Sequence, residues 1–247
     1  MIKQLVGRAL FNPDLLQPRG SRRIVTGAHQ HLFERGITPP WVWSAEQCQA
    51  YWATATEATT NNEPSGYSSK NRAIVGVLDD FWQPEVTSES SVLEVGCNAG
   101  ANLKGLHELG FRKLAALEIN PSAIDEMRHV FPELSPDLTL GPVEETLPTL
   151  PDNTADVVFS MAVLIHIHPS SLQVFEHMVR VAARYVCVVE AEAPTLPYIF
   201  PRNYQRVFER LGCTQLRSVL ITETEFPDVG RDYWGYRARL FTVPASA

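Results

Sequence analysis

Residues 91–102 read SVLEVGCNAGAN, a β-branched run that ends in a turn of glycines and small residues. Residues 91–96 have the composition of a strand buried on both faces. In the turn, Gly96 and Gly100 let backbone approach a ligand closely. Asn98 stands where such turns carry a third glycine, and Asn tolerates positive φ better than most residues. Beyond the turn the pattern alternates. Helices are expected at 99–109, 121–131, 170–183 and 203–211, with strands at 113–119, 138–140, 156–161, 184–190, 215–222 and 237–243. Such alternation implies right-handed crossovers and a parallel sheet covered on both faces. The last two strands have only a loop between them, so they are expected to be antiparallel neighbours. Ligands of such sheets bind at the carboxyl ends of the strands, near the switch in strand order. The turn after the first strand, the acid ending the second and the loop after the fourth should gather there.

Working toward the N-terminus, residues 68–82 place Ile74, Val77, Leu78 and Phe81 at helical spacing, and 59–66 (TTNNEPSG) reads as a loop. Residues 44–57 read as a helix with Ser44 as N-cap and Glu46 in its first turn. Residues 1–40, broken by Pro13, Pro18, Gly20 and the Pro39–Pro40 pair, read as a leader. The expected divisions are a basic leader (1–40), a helical lid or cap segment (41–85) and an α/β domain (86–247).

A chain of 247 residues with 45% hydrophobic and 20% charged residues is too apolar for a disordered chain. Its longest apolar stretch, 157–165, is interrupted by Ser160 and is far short of the roughly 20 residues of a membrane helix. Residues 1–14 lack a long apolar core and a small-residue cleavage site, which argues against a secretory signal and makes a cytoplasmic location the default expectation. Cys48, Cys97, Cys187 and Cys213 form no CxxC pair, so reduced core thiols are expected and not a disulfide framework or a structural zinc site. The net charge is −7, with +4 on residues 1–40 and −11 on the remainder. A body that acidic repels a phosphate backbone, so nucleic acid is not the expected partner. The basic leader reads as a solvated, flexible or helical segment.

The acids around the turn bear on its ligand. Glu94 lies two residues before Gly96, where a carboxylate would oppose a pyrophosphate resting on the following helix N-terminus. It would favour a ligand carrying positive charge. Glu118 ends the second strand, 22 positions after Gly96, where an acid can accept from both hydroxyls of a ribose. After the third strand come Gly141-Pro142-Val143-Glu144-Glu145, a place for an adenine edge to meet backbone and a polar side chain. Pro142 has no N–H, which leaves the donor to Val143 or a neighbour.

EVGCNAGANL (94–103), ALEINPSAI (116–124) and DNTADVVFSMAVLIHIHP (152–169), in this order and spacing, resemble the motifs of class I S-adenosylmethionine-dependent methyltransferases over about residues 90–243. The resemblance implies a Rossmann-like, doubly wound, seven-stranded α/β sheet, mostly parallel with an antiparallel last strand, preceded here by a helical extension. It implies S-adenosylmethionine as cofactor. The turn (Gly96, Cys97, Asn98, Gly100, Asn102, with Glu94) would lie under its methionine part, Glu118 and Ile119 at the ribose, and Val143 and Glu144 at the adenine. The family usually has an Asp near position 142, from which Pro142 departs. Tyr67 and Arg72, in the segment where this family commonly places a lid, are candidates for holding the methionine carboxylate. Asn98, Asn102, VLIHIHP (163–169) and GYSSKNR (66–72) are also similar to pseudaminic acid biosynthesis-associated methylases.

Methyl transfer needs an in-line acceptor, exclusion of water and, for a hydroxyl or protonated amine, a base. His166 and His168 follow the fourth strand at the expected pocket mouth and are the candidate bases, the rival role being packing for one and helix capping for the other. With Glu190 and Glu192 they could ligate a metal, but no third element is visible and none is expected. Aromatic residues in 193–204 and Tyr233-Trp234-Gly235-Tyr236 suit a flat or sugar-like acceptor. The leading expectation is therefore methylation of an oxygen or nitrogen of a small molecule, with sugars and sugar-linked metabolites among the candidates. The alternatives are a protein or RNA methyltransferase, a cofactor-binding regulatory protein and a nicotinamide oxidoreductase.

Overall fold

The computed structural model describes residues 21–55, 63–68, 73–192 and 196–245. Seven strands form one sheet: β1 (Val92–Val95), β2 (Leu114–Glu118), β3 (Asp137–Leu140), β4 (Ala155–Met161), β5 (Ala182–Glu190), β6 (Thr214–Leu220) and β7 (Arg237–Thr242). Their order is β3-β2-β1-β4-β5-β7-β6. Strands β1 to β5 pair in parallel, while β7 runs antiparallel between β5 and β6. From β1 the chain winds outward to β3, then returns to β4 on the other side of β1, so the switch lies between β1 and β4.

The helices are α1 (Ser21–Phe33), α2 (Ala45–Ala53), α3 (Pro64–Ser68), α4 (Ala73–Trp82), α5 (Ala101–Glu108), α6 (Pro121–Val130), α7 (Val143–Thr146), α8 (Gln173–Val181) and α9 (Tyr204–Arg210). The apolar runs of the central strands divide by parity between two cores. Val92, Val157, Phe159 and Cys187 face α4, α5 and α6, whose Leu78, Trp82, Leu106 and Met127 are buried there. Leu93, Val158, Val186 and Val188 face α8 and α9, whose Phe175, Met178 and Phe208 are buried with them. All four cysteines are free and buried. No described helix is long and apolar enough to cross a membrane.

Ser44 does cap α2: its Oγ accepts from Gln47 N (3.3 Å), and Gln47 Oε1 accepts from Ser44 N (2.9 Å), a reciprocal capping box. Two expectations need correction. Pro64, Ser65 and Gly66, read as loop, form the start of α3, with Pro at the first helical position, where its missing N–H costs nothing. The helix read as 68–82 begins at Ala73, and Ser68 belongs to α3. Residues 59–62 and 69–72 lie outside the described segments.

The described half of the leader is not merely solvated. Phe33 is fully buried and meets Phe200 edge-on at 5.5 Å, with Cys48 in the same cluster. Next to it the buried Glu34 carboxylate accepts from Arg206 Nη2 (2.7 Å), Arg206 Nε (3.1 Å) and Asn203 N (3.0 Å), at the start of α9. Gln30 Nε2 donates to Glu192 O at 2.8 Å, just past β5. Helix α1 is thereby built onto the sheet domain. Truncating Phe33 to Ala should lower stability by about 3 kcal/mol through the cavity left behind, a fall in Tm of roughly 6–12 °C. Circular dichroism melts check this; an unchanged Tm would mean that α1 is not part of the cooperative fold.

Candidate functional site

A cavity of about 650 Å³ lies at the carboxyl ends of β1, β2 and β4, within the range of small-ligand sites. Its floor is built from the predicted turn. Asn98 takes φ 47°, the left-handed conformation expected of it. Every backbone N–H from residue 96 to 100 is taken up inside the protein: Gly96 and Cys97 donate to Leu117 O, Asn98 to Glu118, Ala99 to Asn98 Oδ1 and Gly100 to Cys97 O. These amides are therefore not available to cradle a phosphate, as they are in turns that bind a pyrophosphate.

Glu118 ends β2 and organises this floor. Its carboxylate accepts from Asn98 N (2.6 Å), Ile119 N (2.9 Å) and Asn120 N (2.8 Å). Three acceptor positions are thus occupied, leaving capacity for further donors from the cavity, which Glu118 lines. Burial pushes its pKa upward, against those three hydrogen bonds. Asn120 ties the roof to the floor. Its Nδ2 donates to Ala55 O (2.8 Å), just beyond α2, while its Oδ1 accepts from Ser122 N (3.0 Å) as N-cap of α6. A second tie joins α3 to α6, where Ser68 Oγ donates to Glu126 Oε1 at 2.8 Å. Trp52 of α2 and Tyr67 of α3 line the cavity from above.

Cys97, Asn102, Ile119, Val143 and Glu144 line the cavity, as the sequence suggested. Glu144 is drawn toward Gln49 of α2 by a hydrogen bond, and burial raises its pKa. Pro142 is not in the wall; its carbonyl instead accepts from Glu145 N and Thr146 N and starts α7. Arg72 lies outside the described residues.

Two residues of the turn act differently from the expectation. Glu94 shares the face of β1 that carries Val92, is 1% exposed and does not reach the cavity. It accepts from Asn102 Nδ2 at 2.7 Å and so positions Asn102, while burial pushes its pKa up to about 8. A carboxyl so buried carries little negative charge at neutral pH and gives no electrostatic test between ligands. Gly100 likewise lies below the cavity; a Cβ there would come within 2.6 Å of Met127. Its glycine serves packing of α5 on α6, not ligand approach.

The loop after β4 carries both candidate bases and is clamped from two sides. Ala162, with φ 57°, turns the chain out of the strand. Glu190, fully buried at the end of β5, accepts from Val163 N (3.1 Å), Leu164 N (2.9 Å), Ile165 N (3.3 Å) and Ser160 Oγ (3.3 Å). Burial pushes its pKa up to about 7. Arg202, also fully buried, donates to the carbonyls of Leu164 (3.1 Å), Ile167 (2.8 Å) and Phe200 (3.0 Å). Glu190 is thus a loop organiser, and Glu192 pairs with Arg239 (2.9 Å). Among the described residues no group of three His, Cys, Asp or Glu is arranged to hold a metal.

The two histidines divide their roles. His168 is 6% exposed and is the N-cap of a single turn at Pro169–Ser171, its Nδ1 accepting from Ser170 N at 3.2 Å. It touches the cavity wall, but the capping nitrogen is engaged. His166 packs among aromatic rings, with Trp52 at 4.4 Å and Tyr198 at 6.2 Å. Its Nδ1 lies 3.3 Å from Tyr198 O, an acceptor, so Nδ1 carries the proton and Nε2 is the acceptor nitrogen. Burial lowers its pKa to about 4, so the ring is neutral near pH 7.

The aromatic wall around His166 was missed as an assembly. Trp43, Tyr51 and Tyr198 meet at 4.6 to 5.5 Å, joining α2 and the segment before it to the segment after β5. Tyr233 and Tyr236, singled out in the last loop, also line the cavity, whereas Trp234 does not.

A family described as a methyltransferase domain matches residues 93–185. No curated protein matches the chain in sequence. Among solved structures, the magnesium protoporphyrin IX methyltransferase of Synechocystis PCC 6803, with bound S-adenosylhomocysteine, superposes with a TM-score of 0.62 at 12% identity, covering 81% of this chain and 100% of that one. A methyltransferase complexed with the Haloferax volcanii Trm112 activator gives 0.59 at 13% identity, over 83% and 99%. The [4+2]-cyclase SpnF gives 0.57 at 13% identity, over 71% and 81%. The fold is that of the class I S-adenosylmethionine-dependent methyltransferases, and residues 93–185 match the methyltransferase-domain family within it.

The buried acid under the turn generates a pH test. A pKa raised from the ordinary carboxyl value to about 8 stabilises the fold fully below the unfolded pKa. That contribution is lost as pH rises through about 8. Glu190 slopes the same way, so the comparison must be between variants. Glu94→Gln keeps the acceptor for Asn102 and removes the ionisation. Its Tm should fall less than that of the native protein between pH 5 and about 9. Parallel slopes would show that Glu94 does not titrate in this window.

Proposed function

We propose that this protein transfers a methyl group from S-adenosylmethionine to an oxygen or nitrogen of a small molecule. One observation carries the reading. The cavity joins a turn whose amides are already engaged to a ribose-facing acid, with no lysine or arginine among the described residues of its wall. That suits a nucleoside without phosphates and disfavours a pyrophosphate cofactor. When bound, S-adenosylmethionine supplies a methyl on a positively charged sulfur that leaves as a neutral thioether.

In this reading Glu118 receives the ribose hydroxyls on its remaining acceptor capacity. Ile119, Val143 and Glu144 frame the adenine. Gly96, Cys97, Asn98 and Asn102 form the floor under the methionine part, and Tyr67 faces its carboxylate. The roof of α2 and α3, held by Asn120 and Ser68, excludes water from the acceptor. His166 accepts the proton of the nucleophile on Nε2, and His168 holds the shape of the loop beside it. Location in the cytoplasm accompanies this reading as an expectation.

The test is ligand-induced stabilisation. S-adenosylhomocysteine at 100 times its Kd should stabilise by about 2.7 kcal/mol, a rise in Tm of roughly 5–11 °C. NADH at the same concentration should give no rise. Glu118→Ala should melt lower without ligand, having lost the acceptor for three backbone amides, and should show no ligand-induced rise. A rise with NADH instead, or an undiminished rise in Glu118→Ala, would overturn the proposal.

A further inference from the structure

The acceptor half of the cavity has a chemistry of its own. Trp52, His166 and Tyr198 stand together in its wall, and Tyr233 and Tyr236 face it from the last loop. Flat faces in this number favour a planar partner by stacking and apolar burial. Among the described wall residues no lysine or arginine is present, and the acids there are Glu118 and Glu144. A carboxylate or phosphate entering this space would find no cationic partner among those residues. An ammonium would sit in the same enclosed space as the positive sulfur of the cofactor, which opposes it. His166 offers an acceptor nitrogen, since its other nitrogen donates to Tyr198 O at 3.3 Å. A neutral hydroxyl satisfies each of these constraints.

We infer that the acceptor is an uncharged, flat ring bearing a hydroxyl, held against Trp52 and Tyr198 with its O–H donating to Nε2 of His166. This rests on the methyl-transfer reading and narrows it from oxygen or nitrogen to oxygen. Phosphate-bearing acceptors, nucleotide-linked sugars included, would find no cation among the described residues of the wall. In the step, the O–CH3 bond forms as the CH3–S bond breaks, and the electron pair of the broken bond stays on sulfur. The hydroxyl proton passes to Nε2 of His166, and the imidazolium then returns it to water. One positive charge enters on sulfur and one leaves as the proton.

The experiment is calorimetric titration of the full-length protein with three probes of one shape: 2-naphthol, 2-naphthyl phosphate and 2-naphthylmethylamine. Each is run with and without saturating S-adenosylhomocysteine. The expected result is that 2-naphthol binds at least tenfold more tightly than the phosphate in both conditions, and more tightly than the amine when S-adenosylhomocysteine is replaced by S-adenosylmethionine. Trp52→Ala should raise the 2-naphthol Kd at least tenfold, and Trp52→Phe, which keeps a ring, should restore most of it. His166→Asn should lower transfer of labelled methyl to 2-naphthol by 100-fold or more, the low end of general-base contributions, a loss larger than any accompanying rise in the 2-naphthol Kd. Equal or tighter binding of the phosphate, no binding of 2-naphthol up to millimolar concentration, or indifference to Trp52→Ala overturns the inference. Failure of the methyl-transfer reading shows itself separately, as loss of S-adenosylhomocysteine binding with ring binding intact.

Discussion

The site depends on two buried ionisable side chains that hold one loop. The segment after β4 makes no sheet ladder, yet it runs through the interior, where unpaired N–H and C=O groups are costly. Glu190 answers the N–H groups of Val163, Leu164 and Ile165, and Arg202 answers the C=O groups of Leu164 and Ile167. Each side chain would be prohibitive in the core without such partners. Together they satisfy the backbone of an irregular stretch as a ladder satisfies that of a strand. His166 is held in place by that clamp, so the position of the acceptor nitrogen follows from a carboxylate at the end of the neighbouring strand.

A similar economy of fixed contacts joins floor to roof. Glu118 draws the turn after β1 toward the end of β2, and Asn120, two residues on, reaches up to the carbonyl of Ala55. The extension before the domain extends this scaffold outward. Helix α1 bonds through Gln30 to the backbone just past β5 and through Glu34 to α9, while Trp43 N donates to Pro197 O at 3.1 Å. The walls of the cavity therefore come from both ends of the chain, and no single segment contains them.

What could be read from the chain and what could not divides along physical lines. Local signals survived. The strand runs, the left-handed Asn98, the Ser44 capping box and the strand-end position of Glu118 each depend on a few neighbouring residues. The antiparallel pairing of β6 and β7 followed from the lack of a helical pattern in the loop that joins them. Long-range consequences were hidden. The role of Glu190 in holding a loop was hidden because nothing near it in sequence shows that Ser160 pairs with Val188, which brings the end of β5 under the loop after β4. The ring wall joins Trp52, His166 and Tyr198 across more than a hundred positions, so it has no local signature. Glu94 was misplaced for a reason the sequence did contain: it shares parity with Val92, and strand geometry sends both side chains into the core behind the turn.

Gly96 has a meaning beyond the turn in which it sits. A Cβ there would come within 2.5 Å of Val163 Cγ2, in the loop after β4. The two loops interlock at the atomic scale, one forming the floor of the cavity and the other carrying His166. Neither can shift without moving the other. A bulkier residue at 163 would press on the backbone of the cavity floor, so the shape of the cavity is varied with less strain elsewhere, in the rings contributed by α2 and by the segment after β5. Those elements are the ones an engineer seeking a differently shaped cavity should recombine first.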